Sequence, residues 1–149
     1  MVSVQEKKKS MKLKVGIAGF GVVGKRRKHC LDQHPNVDVV AVCDQVQKHM
    51  NHLDQSIKCF SNITDLLKEP LDILFVCLTN DVAAQSCIDA LNKGLHVFCE
   101  KPPGRNVSDI VNVRKVERNY PNLKLMYGFN HRFHDSVQEA LEIIKSDEL

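Results

Sequence analysis

Apolar runs and amphipathic stretches alternate along this chain, and they predict strands and helices in turn. Continuous apolar runs, such as residues 73–77, are typical of strands that are covered on both faces of a parallel sheet. A stripe at positions i, i+3, i+4 and i+7, formed by Ala84, Cys87, Ile88 and Leu91, predicts a helix. The alternation with short links predicts an α/β fold with a doubly wound parallel sheet of about six strands.

The predicted elements end where these patterns end, at the glycine and proline residues between them. The predicted strands are residues 13–18, 37–43, 57–60, 72–78, 95–99 and 123–128. The predicted helices are residues 22–33, 62–68 and 107–119, one that Asn80 or Asp81 caps and Gly94 stops, and a last amphipathic one marked by Val137, Ala140, Leu141 and Ile144. Residues 45–54 are polar and weakly helical.

A glycine-rich turn follows the first predicted strand. Gly19 permits the sharp turn out of the strand, Gly21 removes a side chain where backbone must approach a pyrophosphate, and Gly24 lets the helix lie close to the sheet. The helix that starts near Val22 directs free N–H groups and the positive end of its dipole at phosphates. The candidate dinucleotide-binding residues of this turn are Gly19, Phe20, Gly21, Val22, Val23 and Gly24.

An acidic residue, Asp44, ends the second predicted strand about 20 residues after the turn. It is placed to accept hydrogen bonds from the hydroxyl groups of an adenosine ribose. No arginine follows it to meet a 2′-phosphate, so NAD is favoured over NADP, although Lys48 and His49 lie close enough in sequence to obscure the preference. The alternative is a glycine turn that binds nothing or a different phosphate ligand.

Length, composition and charge narrow the class of protein. The 149 residues suffice for about one domain, and a hydrophobic content of 43% allows a buried core. No run of about 18 apolar residues is present, so no membrane span is expected. Residues 1–14 hold five lysines and one glutamate, a charge of +4 against +3 for the chain, so residues 15–149 sum to −1. This charge gives no case for nucleic-acid binding, and residues 1–12 are expected to be a disordered basic tail ahead of one domain over residues 13–149.

The six cysteines are expected to be buried, reduced thiols. Three of them close apolar strands, one lies in a short strand and two lie on helices, in the order Cys43, Cys77, Cys99, Cys59, Cys30 and Cys87. No Cys-x-x-Cys pair is present. Small hydrophobic thiols of this kind indicate a reducing, cytoplasmic location.

Further candidate cofactor-binding residues follow other predicted strands. Leu78, Thr79 and Asn80 come after the fourth strand, and Glu100 and Lys101 come directly after the fifth. Ligands of doubly wound sheets bind outside the carboxyl ends of the strands, so these segments are expected to converge with the glycine turn on one crevice. A lysine there can hydrogen-bond a substrate oxygen and, if desolvated, exchange a proton at neutral pH. Pairing of Lys101 with Glu100, or exposure to solvent, is an equal alternative.

These motifs together resemble the Gfo/Idh/MocA oxidoreductase family over about residues 13–149. The most selective part is residues 90–102, with the pattern A-L-x-x-G-x-x-V-x-x-E-K-P, and residues 127–133 add Y-G-F-N-H-R-F. The resemblance implies a Rossmann-type domain of a nicotinamide-dependent dehydrogenase that acts on sugars, inositols or related polyols. It also implies that Lys101 lies beside the nicotinamide and the reacting carbon, and that the segment with Asn130 and Arg132 leads into the active site.

The sequence departs from the family pattern in two ways. The family often has Thr-Pro-Asn and then a histidine after strand four, whereas Thr79 and Asn80 are adjacent and residues 82–84 hold no histidine. Family members also carry a second α/β domain, which supplies most substrate contacts and usually an Asp and a His, and this sequence stops at Leu149. The chain is therefore expected to bind NAD(H) without turnover, to reach a small-molecule substrate only through that second domain, and to be mainly monomeric.

Other interpretations stay open. A non-catalytic dinucleotide sensor and a different Rossmann dehydrogenase, of the homoserine or semialdehyde type, both accommodate the glycine turn. Lys25 could assist a pyrophosphate, although residues 25–29 also fit a solvated helix face. His131 and His134 form an H-x-x-H pair without Cys or Glu at zinc-site spacing, so no metal is expected.

Overall fold

A six-stranded parallel sheet forms the centre of the protein. The structure is a computed structural model that describes residues 12–146. Within these residues the strand order is β3-β2-β1-β4-β5-β6, and every neighbouring pair is parallel. The strands are β1 (Leu13–Ala18), β2 (Val37–Cys43), β3 (Lys58–Phe60), β4 (Ile73–Val76), β5 (His96–Cys99) and β6 (Leu125–Tyr127). The predicted doubly wound sheet is confirmed.

Helices connect the strands and cover the sheet. Between residues 12 and 146 the α-helices are α1 (Val22–Asp32), α2 (Ile63–Leu66), α3 (Asn80–Asn92), α4 (Val107–Glu117) and α5 (Asp135–Lys145). Short 3₁₀ turns lie at Gln47–His49 and Asn130–Phe133. From β1 the chain adds strands outwards to β3, and from β4 it adds them in the opposite direction, so the direction changes between β1 and β4. The glycine turn follows β1 at this point, which is where ligands of doubly wound sheets bind.

Two apolar layers hold the helices against the sheet. Neighbouring residues of β1 point to opposite faces, so Ile17 packs with Phe20 and Met50 on one side, while Ala18 packs with Leu91 on the other. All five of these residues are at most 6% exposed. Burial on both faces explains why the central strands appear in the sequence as continuous apolar runs.

The structure corrects several predicted boundaries. Strand β4 is shorter than the predicted 72–78, since it runs from Ile73 to Val76. Neither Asn80 nor Asp81 caps α3: Thr79 is the N-cap residue, with φ −67° and ψ 154°. The predicted stop at Gly94 is confirmed, since this residue has φ +80° and donates its N–H to the carbonyl of Leu91 at 2.9 Å.

The prediction of buried cysteines is wrong at two positions. Cys43, Cys87 and Cys99 are buried and Cys77 is half-buried, but Cys30 and Cys59 are exposed. Cys30 lies on the outer side of α1, and Cys59 lies on the edge strand β3, which pairs only with β2. All six thiols are free.

Thiol labelling is expected to divide the cysteines into two classes. Cys30 reacts first with a disulfide reagent in the native protein, and Cys59 follows more slowly because partial burial raises its pKa. Cys43 and Cys77 react only on unfolding, since burial raises the pKa of Cys43 to about 11 and that of Cys77 to about 12. Mass spectrometry of the labelled peptides, with urea-unfolded protein as the control, measures this order; native labelling of Cys43 would contradict it.

The last helix leaves its apolar stripe open. None of the residues of α5 is buried, and the helix packs mainly on the 3₁₀ turn at Asn130–Phe133. Within the described chain no helix combines the length and the apolar character needed to cross a membrane. The predicted tail, residues 1–12, lies outside the described residues apart from Lys12, whose Nζ is 2.8 Å from Asp38 Oδ1.

Candidate cofactor site

Gly19 turns the chain out of β1 between the ends of two neighbouring strands. Its φ is +86°, and a Cβ there would collide with the carbonyl oxygen of Cys77. Its N–H donates to the carbonyl of Cys43 at 2.9 Å, and the N–H of Cys77 donates to the carbonyl of Ala18 at 2.7 Å. The turn is therefore held by backbone from both β2 and β4, and only glycine fits at its first position.

Gly24 brings α1 against the turn. It is the buried residue of that helix, and a Cβ there would meet the carbonyl oxygen of Gly19 well inside van der Waals contact. Since the atom in the way belongs to the backbone, no side-chain rotation can make room. The third glycine of the motif thus has the packing role that the sequence predicts.

Gly21 leaves open space at the start of α1. It precedes the first helical residue with φ −71°, and no atom lies within 4 Å of the position that a Cβ would take. Val22 and Val23 are exposed and begin α1, so their N–H groups have no acceptor within the helix. No side chain caps them, and the first turn of α1 has no acidic residue. An unobstructed glycine beside free helix N–H groups fits a pyrophosphate.

Asp44 joins the end of β2 to the glycine turn. Its Oδ2 accepts the N–H of Phe20 at 2.7 Å, and its Oδ1 accepts the N–H of Val46 at 2.7 Å. Burial alone would raise the pKa of this carboxyl, but the Val46 amide, the His49 imidazole and the Phe20 amide together outweigh burial and lower the pKa below its usual value. Asp44 is therefore an ionised carboxylate fixed next to the turn.

His49 is a neighbour of Asp44 that the sequence did not identify as a site residue. Its Nδ1 lies 3.2 Å from Asp44 Oδ2, an ion-pair distance when the imidazole is protonated. The alignment is not that of a well-formed hydrogen bond, and Nδ1 has no such bond to any described residue. The 3₁₀ turn Gln47–His49 therefore places an imidazole beside the ribose-binding candidate.

A cleft of about 400 Å³ opens beside Asp44, between the segment that follows β2 and the end of β3. It is lined by Asp44, Gln45, Gln47, Met50, Asn51, Cys59, Phe60 and Ser61. Apolar side chains from Met50 and Phe60 and amide groups from Gln45, Gln47 and Asn51 suit a flat heterocycle with polar edges. Asp44 itself lines the cleft, so a heterocycle bound there would have its attached sugar next to this carboxylate.

Leu78, Thr79 and Asn80 border the same turn from the β4 side. The side chain of Leu78 lies 3.2 Å from the position of a Cβ at Gly19. Thr79 is exposed and Asn80 is half-buried at the start of α3. The structure therefore brings the glycine turn, Asp44 and the segment after β4 together, as the positions of these residues after strand ends predict.

Glu100 is buried at the end of β5 and is held by α1. It is 8% exposed, and its Oε1 accepts the Nε–H of Arg27 and forms an ion pair with the Nη2 of the same guanidinium. The guanidinium also lies 5.0 Å from the centroid of the Phe98 ring. On the other side, Glu100 Oε2 is 3.0 Å from the Cβ position of Gly128. One carboxylate thus joins α1 to the end of β5 and lies close to the glycine that follows β6.

Lys101 extends beyond this buried carboxylate into solvent. Its side chain is exposed, and its backbone N–H points to Glu100 Oε2 at 3.3 Å. The alternative in which Lys101 pairs with Glu100 is not seen, because Arg27 occupies that carboxylate. Within the described residues the Lys101 amine takes part in no ion pair, so it is free to meet a ligand.

Asn130 and Arg132 lie on the exposed 3₁₀ turn that follows β6. The N–H of Asn130 donates to the carbonyl of Gly128 at 3.0 Å, and the carbonyl of Arg132 accepts from the side chain of Gln138. No hydrogen bond or ion pair of the described chain links either residue to Lys101. The rings of His131 and His134 stack at 4.8 Å, and no group of three potential metal ligands is found between residues 12 and 146.

Comparison with known proteins is consistent with this geometry. The sequence profile of the Gfo/Idh/MocA family, described as an oxidoreductase family with an NAD-binding Rossmann fold, matches residues 13–129. Inositol 2-dehydrogenase of Salmonella typhimurium is 28% identical over 145 residues, which cover 93% of this chain and 43% of the relative. An inositol 2-dehydrogenase/D-chiro-inositol 3-dehydrogenase of Lactiplantibacillus plantarum is 31% identical over 137 residues, 88% of this chain and 39% of the relative.

The fold matches solved structures as well. Scyllo-inositol dehydrogenase of Lactobacillus casei, solved with bound NAD(H) and scyllo-inositol, superposes with a TM-score of 0.84 at 26% identity, over 92% of this chain and 42% of that chain. The chain therefore spans less than half of the length of these relatives. On the strength of the profile match and the fold, the chain belongs to the Gfo/Idh/MocA oxidoreductase family and forms its NAD-binding Rossmann domain.

Proposed function

We propose that this chain is the cofactor-binding part of an NAD-dependent dehydrogenase that acts on a hydroxyl group of an inositol, a sugar or a related polyol. The observation that carries the proposal is the open glycine at the start of α1 beside the fixed carboxylate of Asp44. The substrate class is supported by the names of the relatives, which are inositol dehydrogenases, and by the neighbouring structure that holds NAD(H) and scyllo-inositol.

The adenosine half of NAD would lie on the side of the glycine turn where β2 and β3 end. The pyrophosphate would rest at Gly21 and the N–H groups of Val22 and Val23, where a side chain would be in the way. Asp44 would accept the ribose hydroxyl groups, and the cleft between the segment after β2 and the end of β3 would take the adenine. The negative charge of the Asp44 carboxylate opposes a 2′-phosphate, and for this reason NAD is preferred as the main cofactor.

The nicotinamide half would lie towards β4 and β5. Thr79 and Asn80 would border it, and Glu100 would fix the backbone from which Lys101 reaches the substrate. A nicotinamide held there would supply the hydride-accepting chemistry for oxidation of the carbon that bears the hydroxyl group. Lys101 would hydrogen-bond the substrate hydroxyl and help its proton leave, while Asn130 and Arg132 would orient the substrate or the cofactor.

The substrate contacts and the catalytic competence of the enzyme would depend on residues outside this chain. The relatives are more than twice as long as the matched part of this chain, so the substrate contacts are assigned to residues outside it. The chain alone would bind NAD(H) without turnover and would be monomeric. The cytoplasmic location expected from the cysteine positions stays a prediction.

Replacement of Lys101 in the longest natural polypeptide that contains this sequence tests the proposal. Lys101→Met is expected to lower the rate of inositol-dependent NADH formation by about 10²- to 10⁴-fold, the usual contribution of a positioned acid or base. The affinity for NADH should fall far less than the rate, because the proposed pyrophosphate and ribose contacts lie at the glycine turn and Asp44. NADH absorbance and a calorimetric titration measure the two quantities.

Two controls complete this experiment. Lys93→Met removes an exposed lysine at the end of α3 and should leave the rate unchanged. Residues 1–149 alone should bind NADH and form none from NAD and inositol. Full activity of Lys101→Met would contradict the role of the lysine, and NADH formation by residues 1–149 alone would contradict the assignment of substrate contacts to another domain.

A further inference from the structure

The ion pair between Arg27 and Glu100 joins α1 to the segment that carries Lys101. Arg27 lies on the helix whose first N–H groups face the proposed pyrophosphate position, and Glu100 directly precedes Lys101 in the chain. The guanidinium donates through Nε to Glu100 Oε1 and contacts the same oxygen through Nη2. Two contacts from one planar guanidinium hold the carboxylate more firmly than the single contact of a lysine amine would.

Aromatic packing holds the Arg27 guanidinium in place. The guanidinium lies 5.0 Å from the centroid of the Phe98 ring on β5. That ring stacks on Phe75 of β4, with the centroids 4.8 Å apart and an interplanar angle of 24°. Phe75 and Phe98 are also partners in the register of the two strands. The guanidinium therefore rests on side chains of two neighbouring central strands, which limits its movement.

The Glu100 side chain holds the backbone of Lys101 just beyond the sheet. Strand β5 ends at Cys99, and the N–H of Glu100 still donates to the carbonyl of Val76 at 2.8 Å. The next N–H, that of Lys101, is accepted by Glu100 Oε2 at 3.3 Å, and no backbone carbonyl between residues 12 and 146 accepts it. The position of the carboxylate, which Arg27 sets, is thus passed on to the residue that bears the amine.

Stability alone does not account for an ion pair at this place. Glu100 is 8% exposed, and the cost of removing a carboxylate from water offsets most of its attraction to the cation. An apolar pair of similar shape would pack about as well. An apolar pair would, however, provide neither an acceptor for the N–H of Lys101 nor a directed contact from α1.

We propose that Arg27 is a positioning residue for the reaction: by holding Glu100 it fixes the backbone of Lys101, so that the lysine amine meets the substrate hydroxyl. This inference rests on the proposed function, because it takes Lys101 to act on that hydroxyl. Arg27 is assigned no contact with substrate or cofactor and acts through Glu100. Since α1 also carries the proposed pyrophosphate position, the same ion pair sets the distance between the cofactor and the lysine.

Nuclear magnetic resonance relaxation of residues 1–149 tests the positioning without any turnover. The order parameter of the Lys101 amide should be about 0.85, the value of rigid backbone, and should fall by about 0.2 or more in Arg27→Met. Arg26→Met is the matched control, since it removes an exposed positive charge of α1 that takes part in no ion pair among residues 12–146. This control should leave the order parameter of the Lys101 amide unchanged.

Steady-state kinetics tests the consequence in the longest natural polypeptide that contains this sequence. In Arg27→Met the kcat of inositol-dependent NADH formation should fall by about 10- to 100-fold, the usual cost of a misplaced reacting group. The dissociation constant of NADH should change by at most about threefold, because the proposed pyrophosphate and ribose contacts lie at the glycine turn and Asp44. The number of NADH sites per chain, measured by calorimetry, corrects each rate for unfolded protein. Arg26→Met should keep the kcat of the unchanged protein.

A double variant separates positioning from a general effect on the fold. Arg27→Met combined with Lys101→Met should be about as slow as Lys101→Met alone, because no amine is left to position. A purely structural role of Arg27 would instead multiply the two losses. Arg27→Lys should recover part of the kcat that Arg27→Met loses, since a lysine amine can still pair with Glu100 through one contact.

The outcomes distinguish this inference from the proposed function. Unchanged kcat in Arg27→Met, multiplied losses in the double variant, an unchanged order parameter of the Lys101 amide, or equal effects of Arg26→Met would each overturn the inference alone. Full activity of Lys101→Met would overturn the proposed role of the lysine and this inference with it. If the unchanged protein does not oxidise inositol, the proposed substrate class fails, and the order parameters still decide whether Arg27 positions Lys101.

Discussion

Gly24→Ala is expected to lower the free energy of unfolding by about 3 kcal/mol and to abolish NADH binding. The new Cβ would meet the carbonyl oxygen of Gly19, a backbone atom that no rotamer change can move. Relief requires α1 to shift away from β1, which opens the layer around Ile17 and displaces the helix N-terminus from the pyrophosphate position. Urea unfolding followed by circular dichroism measures the stability.

Gly21→Ala is the matched control in the same motif. No atom lies within 4 Å of its Cβ position and its φ is −71°, so the variant should stay within about 1 kcal/mol of the unchanged protein. Its methyl group would occupy the approach of the pyrophosphate, so the affinity for NADH should fall by about tenfold or more. Wild-type stability of Gly24→Ala, or wild-type NADH affinity of Gly21→Ala, would contradict the separate packing and binding roles of the two glycines.

Arg27→Met is expected to destabilise the fold by about 2 to 3 kcal/mol. The substitution leaves the Glu100 carboxylate buried without its cation, and removal of one partner of a buried pair costs about 3 to 5 kcal/mol. The Arg27 side chain is 32% exposed, so water can reach the vacated position and we expect a value at or below the lower end of that range. The loss of the guanidinium over the Phe98 ring adds to the cost.

Two further variants test whether the effect belongs to the pair. Lys28→Met breaks the exposed pair with Asp32 one residue along α1 and should cost at most about 0.5 kcal/mol. Combining Arg27→Met with Glu100→Gln should recover part of the loss, because the amide carries no charge to leave unpaired. The unchanged protein, Arg27→Met, Glu100→Gln and the double variant form a double-mutant cycle, and urea unfolding measures the stability of each. Additive losses from Arg27→Met and Glu100→Gln would show that the two side chains do not stabilise each other.

Much of the fold could be predicted because strands buried on both faces appear in the sequence as uninterrupted apolar runs. The apolar run at residues 73–77 has no polar alternation, and the structure places it between two covered faces in the centre of the sheet. The roles of Gly19 and Gly24 in turning and packing followed from spacing alone, since a strand, a turn and a helix allow few arrangements. The placement of Asp44 beside Phe20 was likewise implied by parallel strands that end at one edge.

What the sequence missed depends on side chains that are far apart in the chain. Arg27 and Glu100 are 73 positions apart, and nothing local marks Arg27 among the basic residues of α1 as the one that faces β5. His49 lies in a segment that the sequence marks only as polar and weakly helical, so its approach to Asp44 could not be derived from a pattern. The N-cap of α3 was misplaced because Thr79, Asn80 and Asp81 are all good caps, and strand pairing rather than propensity decides where β4 ends.

A calorimetric titration of residues 1–149 with NADH, with Asp44→Ala alongside, tests the central claim most directly. We predict saturable binding with one site per chain, and a loss of about tenfold or more in Asp44→Ala, since hydrogen bonds to a charged group contribute about 1.5 to 3 kcal/mol. Circular dichroism spectra of the two proteins should agree, which shows that the variant still folds. Absence of NADH binding, or unchanged affinity in a folded Asp44→Ala, would contradict the assignment of this crevice as the dinucleotide site.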